Sequence, residues 1–150
     1  MTGTAQQLQA LIESYLPLLR EASQNDLDDK PSPSKWSKKE LIGHLIDSAQ
    51  NNIRRFIMAQ YEESPVIIYN QDQWVAINHY QQWDTKQLIN LWYSLNLQIV
   101  AILENISPAA SQRICMSEAS HTIEWLAQDY GKHLQHHMCQ VLNLDPVAYP

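Results

Sequence analysis

Apolar residues recur every three or four positions over four long segments of this 150-residue chain, and this spacing restricts the fold more than any other feature. The most regular segment carries Leu88, Leu91, Trp92, Leu95, Ile99, Ile102 and Leu103. A helix with this pattern has one apolar face, which must be buried against other elements. Convincing alternating strand patterns are absent from the sequence. We therefore predict an all-α protein built as a four-helix bundle.

Local sequence patterns indicate where these helices begin. Ser37 followed by Glu40 has the pattern of a capping box, in which each side chain bonds the backbone amide of the other residue. Asp84 and Thr122 are suitable N-cap residues for two later helices. We expect four helices, over residues 4–23, 37–61, 84–106 and 122–142.

The connections between the helices differ in length, and the longest one bears on the topology. Residues 25–35 form a polar linker with two prolines, which cannot continue a helix. The connection over residues 62–83 should contain an extended piece at 66–69 and a short helix at 71–80. Residues 108–121 are polar and are expected to be irregular. A long connection after the second helix permits an up-down-down-up order within a single domain spanning the whole chain.

The composition argues against several classes of protein. A formal net charge of −6, with basic residues grouped only in pairs, gives no basic patch for nucleic acid or an anionic membrane. Three glycines are too few for a glycine-rich phosphate-binding loop. Two cysteines do not form a disulfide framework, and no segment approaches the ~18 apolar residues of a membrane span. We therefore expect a cytoplasmic protein.

Three of the six histidines fall within five residues of the predicted fourth helix. His133 and His137 are four positions apart, so their imidazoles share one face of the helix and can chelate one transition metal. His136 projects to another side and is expected on the surface. Spacing alone does not establish a metal site, because histidine pairs are also common on solvated or hydrogen-bonded helix faces.

His44 is a candidate third ligand, since it lies at the edge of the apolar stripe of the predicted second helix. Helical bundles build metal sites from side chains on facing helices, so His44 could join the pair formed by His133 and His137. Three nitrogen ligands with open positions are typical of a catalytic site, whereas structural zinc usually has four ligands. The polar strip that includes His44 has a simpler explanation as the solvated face of the helix.

Three motifs in order along the chain carry a family resemblance. They are Trp36-Ser37-x-x-Glu40-Leu41-x-x-His44-Leu45-x-Asp47-Ser48, then Gln73-Trp74-Val75, and finally Trp125-Leu126-x-x-Asp129-Tyr130-x-x-His133-Leu134-x-x-His137. Together they resemble the DinB-like (DinB/YfiT) family of metal-dependent enzymes. The resemblance implies an up-down-down-up bundle, often a homodimer, with one divalent metal held by His44, His133 and His137. Zinc or nickel is the expected metal, and iron or manganese would also suit three imidazoles.

The resemblance also implies an activity on a small-molecule substrate. Members of this family include S-transferases that join low-molecular-weight thiols such as bacillithiol or mycothiol to electrophiles, maleylpyruvate isomerases, and proteins labelled metal-dependent hydrolases. Their shared chemistry is a metal that lowers the pKa of a bound thiol or water. The competing hypothesis is a non-catalytic, metal-stabilised helical dimer, and a further one is an interaction domain with idle histidines.

Four polar residues are candidates for supporting roles. Asp47 and Asp129 lie one helical turn from His44 and His133 and could orient an imidazole or accept a proton, or they could sit in surface ion pairs. Asn51 and Arg55 could contact the carboxylates or phosphates of a thiol cosubstrate. Arg55 is equally well explained as a solvated charge.

Overall fold

The computed structural model describes residues 1–149, and four long helices make up most of this range. They are α1 (Thr2–Glu21), α3 (Lys38–Met58), α5 (Thr85–Asn105) and α7 (Ile123–Leu142). The connections contain the shorter helices α2 (Gln24–Asp28), α4 (Gln71–Asn78) and α6 (Pro108–Ser111), a 3₁₀ turn (Tyr80–Gln82) and the strands β1 (Ile114–Met116) and β2 (Ser120–Thr122). The predicted fold class is confirmed.

Side-chain caps form at the predicted helix starts. The Ser37 hydroxyl accepts a hydrogen bond from the Glu40 amide, and the Glu40 carboxylate accepts one from the Ser37 amide, which completes the capping box. Asp84 and Thr122 each accept a bond from the amide three residues further on. These bonds satisfy amides that have no partner inside the helix, and so they fix where α3, α5 and α7 begin.

Two connections are more ordered than the sequence indicated. The linker after α1 contains α2, which is capped by Ser23. The region expected to be irregular contains α6 and an antiparallel hairpin that pairs Ile114 with Thr122, and Val66 bridges in parallel to Met116 beside it. Strands of three residues are too short to show a recognisable alternation, which explains why they were not predicted.

The helices are packed so that each long helix contacts two of the other three. α1 packs on α5 and α7, and α3 packs on the same two helices. The amino group of Met1 lies 3.4 Å from the Ile106 carbonyl, so α1 and α5 run in opposite directions. Tyr15, near the end of α1, lies close to Cys139, near the end of α7, so these two helices are parallel. The Nζ atom of Lys38, at the start of α3, donates to Oδ1 of Asn143, directly after α7, at 2.9 Å, so α3 and α7 run in opposite directions. The order is therefore up-down-down-up. Among the helices described over residues 1–149, none has both the length and the hydropathy needed to cross a membrane.

The core lies between the long helices and contains their predicted apolar faces. On α7 the apolar positions that recur every three or four residues are buried, namely Ile123, Leu126, Tyr130, Leu134, Met138 and Val141. On α3, Ile57 continues the apolar spacing of the helix but is 40% exposed. The larger difference concerns the polar strip of α3, because His44, Asp47 and Asn51 are all buried. This strip is an interior feature, so the simpler explanation as a solvated face is wrong.

Candidate metal centre

Three histidines from two antiparallel helices meet inside the bundle. His44 lies in the second turn of α3, and His133 and His137 lie one turn apart on α7. The Nε2 atoms of His44 and His133 are 3.1 Å apart. One ring nitrogen of each histidine lies within 4.8 Å of the corresponding atoms of the other two. The structure thus brings together the three side chains that we expected to act as metal ligands.

Burial favours the neutral form of these imidazoles. His44 is only 1% exposed, and burial, with a smaller contribution from His137, lowers its pKa to about 4. Burial and the neighbouring histidines lower the pKa of His133 to about 3. Burial also lowers the pKa of His137. A neutral imidazole keeps a lone pair on one nitrogen, and this is the form that binds a metal.

The donor set and its spacing fit one divalent metal ion. Nitrogen ligands lie ~2.0–2.1 Å from zinc, so two ligands of one ion are on the order of 3 Å apart, in keeping with the Nε2 atoms of His44 and His133. Within residues 1–149, neither cysteine nor carboxylate joins the three-histidine group. Three protein ligands leave positions for other molecules, as in catalytic rather than structural sites.

A cavity of about 590 Å³ extends from the histidines between α3 and α7 to the β-hairpin. Its walls are formed from α3 by His44, Ser48, Asn52 and Arg55, from α7 by Trp125, Leu126, Asp129, Tyr130, His133 and His137, and from the connections by Ile68, Tyr69, Gln71, Ser117, Glu118, Ala119, His121 and Tyr149. This volume is typical of a small-molecule site. The walls from the connections were not predicted, because helical periodicity carries no information about where those segments pack.

Gly43 allows another segment to pack directly beside His44. The Tyr80 ring occupies the space that a Cβ on Gly43 would take. Tyr80 follows His79, whose left-handed backbone (φ 50°) ends α4 and turns the chain toward α3. On another side, the Trp36 ring lies 5.1 Å from the His44 ring, centroid to centroid. The Trp36 contact restricts the orientation of the His44 imidazole, and Tyr80 packs on the helix at the residue before it.

Asp47 does not form the hydrogen bond to His44 that we expected. Its Oδ1 accepts bonds from the Tyr80 hydroxyl at 2.5 Å and from Nδ2 of Asn78 at 3.2 Å. Its Oδ2 and the Nδ1 of His44 are buried without a hydrogen-bond partner among the described residues. Burial raises the pKa of Asp47 to about 6, although the bond from Tyr80 opposes this shift. Asp47 therefore holds the end of α4 and the turn after it against α3. It is not among the residues that line the cavity.

Asp129 lines the cavity one turn before His133, but the expected bond between them is also not formed. Both of its carboxylate oxygens are within 3.1 Å of the Tyr149 hydroxyl, which donates to them. The Tyr149 ring lies 5.4 Å from the His133 ring, centroid to centroid. A tyrosine from the segment after α7 thus connects Asp129 with the histidine cluster.

The two predicted substrate contacts lie in different environments. The Asn51 amide donates to the Asp47 carbonyl at 2.9 Å, and the side chain is fully buried away from the cavity wall. This position gives no support to the expected substrate contact of Asn51. The neighbouring Asn52 and the predicted Arg55 both line the cavity.

The remaining histidines occupy three distinct settings. His79 is exposed. His121 lines the cavity and stacks on Trp125 with ring centroids 3.6 Å apart. His136 was expected on the surface, but it is half-buried and its Nδ1 lies 2.8 Å from the Val147 carbonyl. The segment after α7 folds back over this side of the helix, which the helical pattern could not indicate.

The sequence model of the DinB superfamily matches residues 7–141 of the chain. The chain belongs to the DinB superfamily. Over 126 residues this DinB protein is 25% identical to a protein of Bacillus licheniformis named a putative metal-dependent hydrolase, and the match covers 81% of this chain and 71% of the relative. A protein of Bacillus mycoides with the same designation is 23% identical over 142 residues, and the match covers 93% of this chain and 82% of the relative.

Two solved structures share the fold of this DinB protein. YfiT from Bacillus subtilis, described as a probable metal-dependent hydrolase with an unusual four-helix bundle topology, superposes with a TM-score of 0.82 at 21% identity, covering 94% of this chain and 83% of YfiT. A mutant of mycothiol-dependent maleylpyruvate isomerase superposes with a TM-score of 0.76 at 12% identity, covering 97% of this chain and 61% of the isomerase. At these identities the comparison supports the fold, and the chemistry has to be argued from the site.

Proposed function

We propose that this DinB protein is a metal-dependent enzyme in which His44, His133 and His137 hold one divalent ion. The observation that carries this proposal is the convergence of three histidine imidazoles at one end of a cavity of about 590 Å³. A site that only held the helices together would need no cavity beside it. Zinc and nickel are the ions we expect first, and iron or manganese would also suit the three nitrogens.

The ion would supply Lewis-acid chemistry, lowering the pKa of a water or thiol bound to it so that a nucleophile is available near neutral pH. Of the two predicted acidic residues, Asp129 is better placed to exchange a proton with a substrate, because its carboxylate lines the cavity and Asp47 does not. The Tyr149 hydroxyl donates to Asp129 and so helps to fix the position of this carboxylate. Asp47 acts indirectly, by fixing Tyr80 beside Gly43 and the adjoining His44.

Hydrolysis and thiol transfer are both compatible with this arrangement. The names of the Bacillus relatives favour hydrolysis. Thiol transfer is favoured by the likeness to an isomerase that depends on mycothiol. The cavity is within the usual volume range of small-molecule sites and extends well beyond the histidines, which leaves room for a second small molecule.

The test is a screen of metal-loaded protein for ester and amide hydrolysis and for the transfer of low-molecular-weight thiols to electrophiles. We expect turnover in the wild type that is lost in His44→Ala, and little change in His79→Asn, since His79 is exposed and outside the site. Thermal unfolding of the same proteins separates catalysis from structural support. A His44→Ala variant that loses much stability, together with an inactive metal-loaded wild type, would instead indicate a metal-stabilised helical dimer.

A further inference from the structure

Arg55 presents unused hydrogen-bond donors in the wall of the cavity. Its Nε and Nη2 atoms donate to the Ile67 carbonyl at 3.2 and 3.0 Å, and its Nη1 is 3.4 Å from Oδ1 of Asn52. A guanidinium has five N–H groups in one plane. Three are engaged here, so one remains on each terminal nitrogen. The two bonds to Ile67 fix the plane, and a fixed guanidinium can bind both oxygens of one carboxylate.

The charge of Arg55 has no close counter-ion in the part of the chain that is described. The salt bridges found over residues 1–149 all involve lysines, and none includes Arg55. Glu118 and Asp129, which also line the cavity, act on it only at longer range. Burial lowers the pKa of Arg55, which reflects the cost of keeping this charge partly away from water. A ligand anion would offset that cost.

Arg55 lies at the end of the cavity far from the histidines. It follows His44 by eleven residues on α3, which corresponds to three helical turns and about 16 Å along the helix axis. Three turns return a side chain to the same face, and both residues line the same cavity. A molecule that reaches both ends must therefore be extended, with a length on the order of 10 Å or more.

We propose that Arg55 forms an anion-binding subsite, and that the substrate is an elongated molecule with a carboxylate at the end opposite its reacting group. This inference rests on the proposed function, because the histidines define where the reacting group lies. A single negative charge suits the subsite better than a dianion. Arg55 offsets one negative charge of a ligand. A second charge, as on a phosphate, would have no positive partner there and would be repelled by Glu118 and Asp129, which also line the cavity.

The experiment measures how zinc-loaded protein binds two series of hydroxamates by titration calorimetry. One series consists of linear alkyl hydroxamates, whose hydroxamate group binds a metal ion. The other consists of monohydroxamates of linear dicarboxylic acids, which have the same lengths and a carboxylate at the far end. Binding of the alkyl series, and its loss in His44→Ala, tests the metal site alone. The difference between the two series tests the subsite.

We expect the distal carboxylate to tighten binding about tenfold, the equivalent of one charge-assisted hydrogen-bonded pair, once the chain is long enough to reach Arg55. Arg55→Gln should abolish this difference. Arg54→Gln should retain it, because Arg54 is the exposed neighbour and undergoes the same change in charge. If Arg55→Gln does not fold, the length series in the wild type still decides, since the short members should show no difference.

Equal affinity of the two series at every length would overturn the subsite, and so would a carboxylate effect that persists in Arg55→Gln. A terminal phosphonate that binds more tightly than the carboxylate would overturn the assignment of a singly charged ligand. If no hydroxamate of either series binds, the proposed metal site fails and the subsite fails with it. Alkyl hydroxamate binding without a carboxylate effect leaves the metal site standing and refutes only the role of Arg55.

Discussion

Replacing Gly43 with alanine should destabilise the protein, although alanine is the better helix former. In the middle of a helix, alanine is favoured over glycine by ~1 kcal/mol. Here, however, the new Cβ would overlap Cγ and Cδ2 of the Tyr80 ring and lie 2.7 Å from Cε2. Tyr80 is 2% exposed, so its ring has little room to move. Forcing extra volume into a packed core costs ~1–3 kcal/mol.

A second cost arises because Tyr80 also donates a hydrogen bond to Asp47. Moving the ring would weaken this bond to a buried carboxyl group, at a cost of ~1.5–3 kcal/mol. Setting these two costs against the gain in helix propensity gives a net loss of roughly 1.5–5 kcal/mol. Urea unfolding at equilibrium, in the presence of a chelator so that metal binding does not contribute, measures this value.

Gly131 provides a matched control on α7. A Cβ at Gly131 would meet no other atom within 4 Å, so Gly131→Ala should stabilise the protein by up to ~1 kcal/mol. Two glycine-to-alanine changes in two long helices of one protein should therefore change stability in opposite directions. If Gly43→Ala unfolds with the same free energy as the wild type, Tyr80 does not pack closely on α3. If both variants lose the same free energy of unfolding, the space around each glycine does not explain the effect of its replacement.

Three further changes have expected outcomes. Tyr130→Phe removes the donor to the buried Asn96 Oδ1 and should lower the free energy of unfolding by ~1–3 kcal/mol in urea titrations; an unchanged midpoint would contradict it. Burial raises the pKa of Asp47 to about 6, above ~3.9 in the unfolded chain, so its stabilising contribution is full below pH 4 and is lost as the pH rises through 6. Asp47→Asn should therefore gain roughly 2 kcal/mol relative to wild type between pH 4 and pH 8, and a constant difference over this range would exclude the shift. Zinc at about a hundred times its dissociation constant should stabilise the wild type by ~2.7 kcal/mol in thermal unfolding, and it should stabilise His44→Ala much less. The same stabilisation by zinc in both proteins would show that the ion binds elsewhere.

The features that could be predicted from the sequence are those encoded within single helices. The apolar stripe of α5 and the capping box of Ser37 depend on neighbours within a few turns, and both were predicted correctly. The pairing of His133 with His137 follows from helix geometry in the same way. Helical position alone made His44 a candidate third ligand, and the family resemblance made it an expected one, because no local pattern shows which helix will face which.

What could not be predicted depends on contacts between distant segments. Asp47 was expected to support His44 directly, yet its partners are Asn78, the last residue of α4, and Tyr80 in the turn that follows. Asn51 and Asn52 are adjacent, and only the exact rotation of α3 in the bundle decides that Asn52 faces the cavity. Glu118 lies in a hairpin too short to recognise, so its place in the cavity wall had no sequence signature.

The most direct test of the central claim is the metal content of untagged protein, purified without chelator and analysed by inductively coupled plasma mass spectrometry. The wild type and His79→Asn should each hold about one divalent ion per chain, and the double variant His133→Ala, His137→Ala should hold none, because it keeps only one of the three nitrogens. A wild type that takes up no ion after incubation with zinc, nickel or manganese would contradict the claim. An equal metal content in the double variant would contradict it as well.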